Sequence, residues 1–171
     1  MKDSDPGLRS FAPITSRDLE RLLELARQDR EEFFARYPDW AKSYANRVLG
    51  TALCQGAALH YVQGNIGIND FDVYTFYASH PDRRWYAKRI KSRDFGDPKF
   101  GRSEISPTEF IGRRVDLLAR GLDAPPGSDI TEVLVAYLKA PKTRTALELA
   151  HKAVVLLEPR LGTIVWPQKS K

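Results

Sequence analysis

The amino-acid sequence predicts an α+β domain with a small mixed β-sheet. Helical periodicity dominates the beginning and the end of the chain, while the two clearest strand patterns, residues 71–78 and 110–118, lie between them. Helices on both sides of a run of strands are typical of an α+β arrangement, in which the N-terminal and C-terminal helices pack on the sheet. With 171 residues, of which 42% are hydrophobic and 29% charged, the chain fits one domain with a continuous core.

The first part of the chain predicts a flexible lead followed by two helices. Residues 1–14 are polar and form the lead. Thr15 or Ser16 caps the first helix, because both residue types accept hydrogen bonds from free backbone N–H groups at a helix start. A second, shorter helix begins at Pro38, since proline is tolerated in the first turn, and ends at Gly50. Everything after the lead is expected to form a single domain, residues 15–171.

The middle of the chain alternates between apolar and glycine-rich segments. A short apolar run ends at Cys54, and Gly56 opens a helix-like segment over 57–62. A glycine-rich turn then leads into the strand predicted for 71–78, so residues 50–118 are expected to hold the core of the domain.

The following basic segment predicts a less definite structure. Residues 85–95 fit either a short helix or a basic strand, and residues 95–101 indicate a hairpin connection. In the strand predicted for 110–118, alternation places Arg114 and Asp116 on one face.

Two helices are predicted near the C-terminus, over residues 129–158. Asp129 caps the first, and Thr143 or Thr145 begins the second, which Pro159 ends. Leu147 is expected to face the core with other apolar residues of that helix. Residues 161–166 then predict a last edge strand.

Charge is distributed unevenly along the sequence. The net charge is +5, yet residues 83–114 alone contain ten basic and four acidic residues. Such a block suits a polyanionic ligand, either phosphate groups or nucleic acid, although a solvated basic face would have the same composition.

The sequence shows neither a secretion signal nor a membrane span. The N-terminus lacks an apolar core, and the longest aliphatic run, residues 153–157, is far too short to cross a bilayer. The single cysteine, Cys54, excludes an internal disulfide and fits a reducing compartment. We therefore expect a cytoplasmic protein that does not bind membranes.

Two aspartates at the start of a strand are the strongest chemical signal. Asp70 and Asp72 share one face because side chains two apart in a strand point the same way. Two such carboxylates repel each other unless a cation lies nearby, and a divalent metal ion is the expected cation. A structural interpretation also stays open, in which Asp70 caps the preceding turn and Asp72 pairs with Arg113 or Arg114 across the sheet.

Other chemistries that use an Asp-x-Asp pair fit less well. Phosphatases of the haloacid dehalogenase type place the pair after an apolar strand, whereas here the apolar run follows it. A calcium loop needs further oxygen ligands, but Asp72 is followed by Val-Tyr-Thr-Phe-Tyr. Glycosyltransferases use such pairs within a much longer nucleotide-sugar fold.

The order of these residues resembles the DNA polymerase beta superfamily of nucleotidyltransferases. Its members carry a helix-opening Gly-Gly or Gly-Ser, an Asp-x-Asp about a dozen residues later, and a third carboxylate on a neighbouring strand. Here Gly56 stands fourteen residues before Asp70, and Asp116 is the third acid. Gly-Ala-Ala-Leu from Gly56 resembles the Gly-Thr-Ala-Leu form in bacterial abortive-infection toxins. Gln55 and Ala57 occupy the positions where the superfamily has its other glycine and its serine.

The resemblance implies a small mixed sheet of the nucleotidyltransferase type and a Mg²⁺-dependent transfer of a nucleoside monophosphate from an NTP to a hydroxyl. A second metal ion, bridged by the third acid, would activate that hydroxyl. The implied catalytic and metal-binding residues are Asp70, Asp72 and Asp116; the implied nucleotide-binding residues are Gln55, Gly56, Ala57 and Arg114. Further basic residues that would balance phosphate charge are Arg83, Lys88 and Arg113.

The identity of the partner stays open at this point. The acceptor would be a small molecule, a protein or a tRNA. The alternative is a catalytically degenerate module of the same fold that binds nucleic acid or a protein through residues 83–114, for example as half of a toxin–antitoxin pair.

Overall fold

The computed structural model describes residues 9–85 and 90–168, and within them it contains five α-helices and six β-strands. The helices are α1 (Ser16–Arg36), α2 (Pro38–Tyr44), α3 (Gln55–Gln63), α4 (Ile130–Lys139) and α5 (Arg144–Ala150). The strands are β1 (Val48–Cys54), β2 (Phe71–Ala78), β3 (Lys91–Asp94), β4 (Arg114–Leu122), β5 (Val154–Glu158) and β6 (Ile164–Trp166). They form one mixed sheet, in which only β2 and β4 pair in parallel among the described strands. The prediction of an α+β domain with a mixed sheet is confirmed.

The sheet lies between two helical layers and is buried on both faces. Its strand order is β3-β4-β2-β1-β5-β6. Helices α1 and α3 pack on one face, where Leu22 and Ala58 are buried against Val73 and Val155. Helices α4 and α5 pack on the other face, where Leu134 belongs to a second buried cluster. No helix within the described residues is long and apolar enough to cross a membrane.

The N-terminal helix begins where the sequence predicts it. Thr15 and Asp18 form a capping box, in which each side chain accepts a hydrogen bond from the other residue's backbone N–H. Residues 9–14, which belong to the predicted flexible lead, pack on the domain: Ser10 and Ile68 exchange two backbone hydrogen bonds of 3.0 and 2.8 Å. Residues 1–8 lie outside the described part of the chain.

The prediction that the second helix extends to Gly50 is wrong. Helix α2 ends at Tyr44, and Gly50 lies inside β1. A β-carbon built on Gly50 would lie only 2.9 Å from the carbonyl oxygen of Glu158 and 3.0 Å from a side-chain carbon of Ile130. Glycine at this position therefore allows close packing inside the sheet. The sequence around it fits a helix end equally well, so the sequence alone did not distinguish the two.

The prediction of a second C-terminal helix reaching residue 158 is wrong in its second half. Thr143 caps α5 as predicted, but the helix stops at Ala150, and residues 154–158 form β5. Leu147, predicted to face the core, is 48% exposed. Strand β5 pairs with β1 in the interior of the sheet, so it is apolar on both faces, and such a run lacks the alternation of a half-buried strand. Strand β6 confirms the predicted edge strand.

The strand predicted from residue 110 begins four residues later, at Arg114. Both oxygens of the Asp94 carboxylate accept backbone hydrogen bonds, one from Ile111 and one from Gly112, at 2.7 and 2.8 Å, and this holds these residues in a turn. Residues 91–94 of the ambiguous basic segment form β3, whereas residues 86–89 lie outside the described part of the chain. The predicted hairpin connection does join antiparallel strands, but it extends over residues 95–113.

Candidate metal centre

One row of paired residues crosses the sheet near the end where β1 stops and β2 begins. Asp72 pairs with Cys54 of β1 on one side and with Asp116 of β4 on the other. The row continues to Ser92 of the edge strand β3 and to Val154 of β5. Residues paired in register point to the same face, so Asp72 and Asp116 both lie on the face that α4 and α5 cover.

Asp70 is held beside this row by the loop that precedes β2. Arg113, only 2% exposed, donates a hydrogen bond of 3.2 Å to the carbonyl of Asn69, the residue before Asp70. It also donates two hydrogen bonds to the carbonyl of Phe100, at 3.1 and 2.6 Å, and so ties the 95–113 connection to the same loop. Oxygen atoms of Asp70, Asp72 and Asp116 consequently lie within 4.8 Å of one another.

The three carboxylates have unequal partners. The Nη2 atom of Arg114 lies 3.3 Å from Oδ2 of Asp70 and 3.1 Å from Oδ2 of Asp116. The Ser92 hydroxyl donates a hydrogen bond of 2.7 Å to Oδ1 of Asp116. Within residues 9–85 and 90–168, the Asp72 carboxylate accepts no hydrogen bond and forms no ion pair. The part of the structural interpretation in which Asp72 pairs with Arg113 or Arg114 is therefore wrong; Arg114 pairs with Asp70 and Asp116 instead.

Burial and repulsion make the negative charge of Asp72 costly. Burial, followed by the charges of Asp70 and Asp116, raises the pKa of Asp72 to about 7, against the smaller opposing effects of Arg114 and Lys152. Burial and the Asp116 charge also raise the pKa of Asp70. A carboxylate that is expensive to ionise without a cation is typical of a site that binds one.

The neighbouring thiol shows the same electrostatic pattern. Cys54 is fully buried, and burial together with the Asp72 charge raises the pKa of its thiol well above the usual value. It is therefore a packed, unreactive thiol, as expected for an apolar strand residue.

The turn between β1 and α3 lies next to the acids. Gln55 has a φ of 64°, in the left-handed region that favours glycine, although a side chain is present. A β-carbon built on Gly56 would meet only Nζ of Lys152, at 4.0 Å, so the backbone here is open on the side of that ammonium group. Gln55, Gly56 and Ala57, which form the first turn of α3, line the same cleft as Asp70 and Asp72.

A cleft of about 430 Å³ connects the turn with two of the acids. Its lining includes all three turn residues predicted to bind nucleotide and the first two aspartates, together with several residues that the sequence did not single out. The lining residues are Arg9, Gln55, Gly56, Ala57, Ile66, Gly67, Asn69, Asp70, Asp72, Glu148, His151 and Lys152.

Two of the residues missed from the sequence lie next to the acids or the turn at Gly56. Lys152 precedes β5 and lies near Gly56 because β5 pairs with β1. The sequence analysis assigned this region to a helix and therefore did not place Lys152 beside the turn. Ser92 lies on an edge strand whose prediction was ambiguous. The signal for Lys152 was a lysine directly before a continuous apolar run, which fits the start of a buried strand.

The described basic residues that were predicted to balance phosphate charge contact groups of the protein instead. Arg114 contacts the carboxylates, Arg113 holds backbone carbonyls, and the Arg83 guanidinium lies 3.9 Å from the centre of the Trp40 ring. Lys88 lies outside the described residues.

Other cations of the 83–114 block are paired within the domain. Arg93 lies 2.7 Å from Glu32 of α1, and Lys99 lies 2.6 Å from the capping residue Asp18. These cations support the fold, which reduces the charge that the block presents to an external polyanion.

The donor atoms of the site fit a hard divalent cation. Carboxylate oxygens are the protein ligands that Mg²⁺ and Mn²⁺ prefer, and Mg²⁺ commonly takes one or two of them plus substrate phosphates. Asp72 offers oxygens without a competing partner in the described structure, and Asp70 lies beside it.

Comparison with known proteins identifies no relative of the chain. No protein-family model matches the sequence, and neither a curated protein nor a solved structure matches it.

Proposed function

We propose that this protein is a metal-dependent nucleotidyltransferase, which moves a nucleoside monophosphate from an NTP to a hydroxyl group of an acceptor. The observation that carries the proposal is the convergence of three carboxylates, with oxygens within 4.8 Å of one another, beside the strand-to-helix turn at Gly56. The acids come from positions far apart in the chain, and the register of β2 and β4 brings them together. The order of glycine, acid pair and third acid supports the same reaction.

Asp70 and Asp72 are the residues that would hold Mg²⁺. When bound, the ion would neutralise charge on the phosphates and promote the attack of the acceptor hydroxyl. The chain provides the geometry for this: Arg113 fixes the loop before Asp70, and the pairing of Asp72 with two neighbouring strands fixes its backbone. A rigid frame keeps the two carboxylates at a set separation.

The turn at the start of α3 would bind the triphosphate. Its backbone N–H groups lack helical partners and carry the positive end of the helix dipole. Lys152 adds an ammonium group on the open side of Gly56. The cleft, of about 430 Å³, has the size of a small-molecule site, and its lining includes both acidic and basic side chains.

Asp116 is the group to which we assign the proton of the acceptor hydroxyl. Ser92 fixes the carboxylate by donating to Oδ1, and Oδ2, which lies 3.1 Å from Nη2 of Arg114, keeps a second lone pair that can accept a proton. The proton of the acceptor O–H passes to Oδ2 of Asp116, and the acceptor oxygen then forms its bond to the α-phosphorus while pyrophosphate leaves.

Radiolabelled nucleotide tests the proposal. The purified protein is incubated with Mg²⁺, each of the four [α-³²P]NTPs and a cell extract, and the label is followed into protein, RNA and small molecules. Wild type should transfer label, while Asp72→Asn should lower transfer by at least about 100-fold, because a metal ligand is lost. Asp123→Asn is the matched control: this exposed residue follows the other end of β4 and should leave transfer unchanged.

The alternative, a non-catalytic module that binds nucleic acid, predicts a different result. Such a module would bind RNA without a divalent metal, with an affinity that falls steeply with salt, and would transfer no label. The internal pairing of Arg93 and Lys99 argues against it. Metal-independent RNA binding together with absent transfer would replace the enzyme with the module.

A further inference from the structure

One guanidinium already lies inside the acid cluster. A single nitrogen, Nη2 of Arg114, is within 3.3 Å of Asp70 and within 3.1 Å of Asp116. The Nε atom of Arg114 is buried, and it has no hydrogen-bond partner among the described residues. The guanidinium therefore has a desolvated Nε and makes its charged contacts through Nη2 with the two carboxylates.

The contacts divide the three acids into two groups. Each oxygen of Asp116 has a donor, Ser92 on Oδ1 and Arg114 on Oδ2. Asp72 has none within the described residues, and it lines the cleft together with Asp70. The open ligand positions are thus on the cleft side, away from Asp116.

The charges of the three acids and of Arg114 also separate Asp116 from Asp70 and Asp72. Three carboxylates carry three negative charges, and the Arg114 guanidinium cancels one of them. The remaining two equal the charge of one divalent ion. A second divalent ion bridged by Asp116 would have to lie beside the guanidinium, which repels it.

We propose that Arg114 is a built-in cation that takes the place of the second metal ion, so that the nucleotide-free protein binds a single divalent ion at Asp70 and Asp72. The inference rests on the proposed function and deepens it. Asp116 is then a carboxylate positioned by Ser92 and Arg114, and Arg114 is a positioning residue of the site. This differs from the pair of metal ions that the sequence resemblance implies.

Counting bound metal ions tests the proposal without any measurement of activity. Mn²⁺ is titrated into the nucleotide-free protein, and free Mn²⁺ is followed by electron paramagnetic resonance. Wild type should bind one ion per chain. Arg114→Met, which keeps the length of the side chain but removes its charge, should bind two, and Arg114→Lys should again bind one.

Thermal unfolding provides a second measurement. In EDTA, Arg114→Met should lower Tm by about 3–6 °C, because the carboxylates lose their cation, and Mn²⁺ should restore most of the loss. Arg93→Met is the matched control. Arg93 also contacts carboxylates, Glu32 and Asp29, but lies outside the cluster, so Mn²⁺ should raise the Tm of this variant only as much as it raises that of wild type, and the difference between the two should persist.

The outcomes separate this inference from the function on which it rests. Two ions on wild type, or one ion on Arg114→Met with unchanged affinity, would overturn the role of Arg114 while leaving a metal-dependent enzyme. No Mn²⁺ bound to wild type or to either Arg114 variant would overturn the metal site itself, and the proposed function with it.

Discussion

Replacing Asp72 by asparagine should stabilise the metal-free protein. The Asp72 carboxylate is a partly buried member of a cluster of three acids and lacks a partner among the described residues. Asparagine has nearly the same shape and carries no charge, so the substitution removes a desolvated, repelled carboxylate while keeping the packing of β2. A residue retained at a cost in stability is typical of a functional site.

The magnitude follows from the pKa of Asp72, which is raised from 3.8 to about 7. A shift of about three units corresponds to about 4 kcal/mol between the ionised and protonated forms. Asp70 releases part of this energy by taking up a proton itself, so the expected gain in the free energy of unfolding is about 2–4 kcal/mol at pH 8.

The gain should depend on pH in a defined direction. Because the pKa of Asp72 is raised on folding, the stability that its proton contributes is fully present below about pH 3.8 and is lost as the pH rises to about 7. Wild type and Asp72→Asn should therefore be equally stable near pH 4 and should diverge up to pH 8.

Urea unfolding in EDTA at pH 4, 6 and 8, followed by circular dichroism, measures this difference. Asp123→Asn is the control for the loss of an exposed carboxylate and should change stability little at any of these pH values. An Asp72→Asn variant that is less stable than wild type at pH 8 would refute the reasoning, because the carboxylate would then be a stabilising structural group.

Three further substitutions test, by urea unfolding, the turn at Gln55, the 95–113 connection and the ion pairs of Glu158. Gln55→Gly should raise the free energy of unfolding by about 0.5–1 kcal/mol, because it relieves a side chain at a φ of 64°; a loss of stability would show that the turn is unstrained. Gly112→Ala should cost about 2–3 kcal/mol, since its β-carbon would overlap the backbone oxygen of Asp97, and a neutral effect would contradict the packing of the 95–113 connection. Burial would raise the pKa of Glu158, but hydrogen bonds from Thr51 and Arg27 and the charge of Arg30 lower it below 4.5. The folded-state pKa is thus depressed, so the advantage of wild type over Glu158→Gln, about 1–2 kcal/mol, should be present at pH 7 and vanish as the pH falls to 3; an advantage independent of pH would exclude a role of the charge.

Local sequence patterns correctly predicted the elements whose signals lie in neighbouring residues. The capping box at Thr15 and the Asp129 cap marked two helix starts, because each depends on neighbouring residues only. The strand over 71–78 was predictable from its β-branched and aromatic residues. The pairing that brings Asp72 next to Asp116 depends on the parallel register of two strands more than forty residues apart, and only their alternation indicated a shared face.

The helix wrongly predicted for residues 154–158 has its origin in burial on both faces of the sheet. Strand β5 contacts both helical layers, so its apolar run carries neither a helical nor a strand period. Assigning it to a helix displaced Lys152 from the cleft. The contact of Arg114 with two acids likewise depends on side-chain conformation, which no local pattern encodes.

The most direct measurement is a crystal structure of the protein soaked with Mn²⁺ and a non-hydrolysable NTP, with anomalous scattering recorded at the manganese edge. We expect an anomalous peak coordinated by Asp70 and Asp72, with the triphosphate against the turn at Gly56 and near Lys152. Bound manganese elsewhere, or a cleft that stays without metal and nucleotide at millimolar concentrations of both, would contradict a nucleotidyltransferase site.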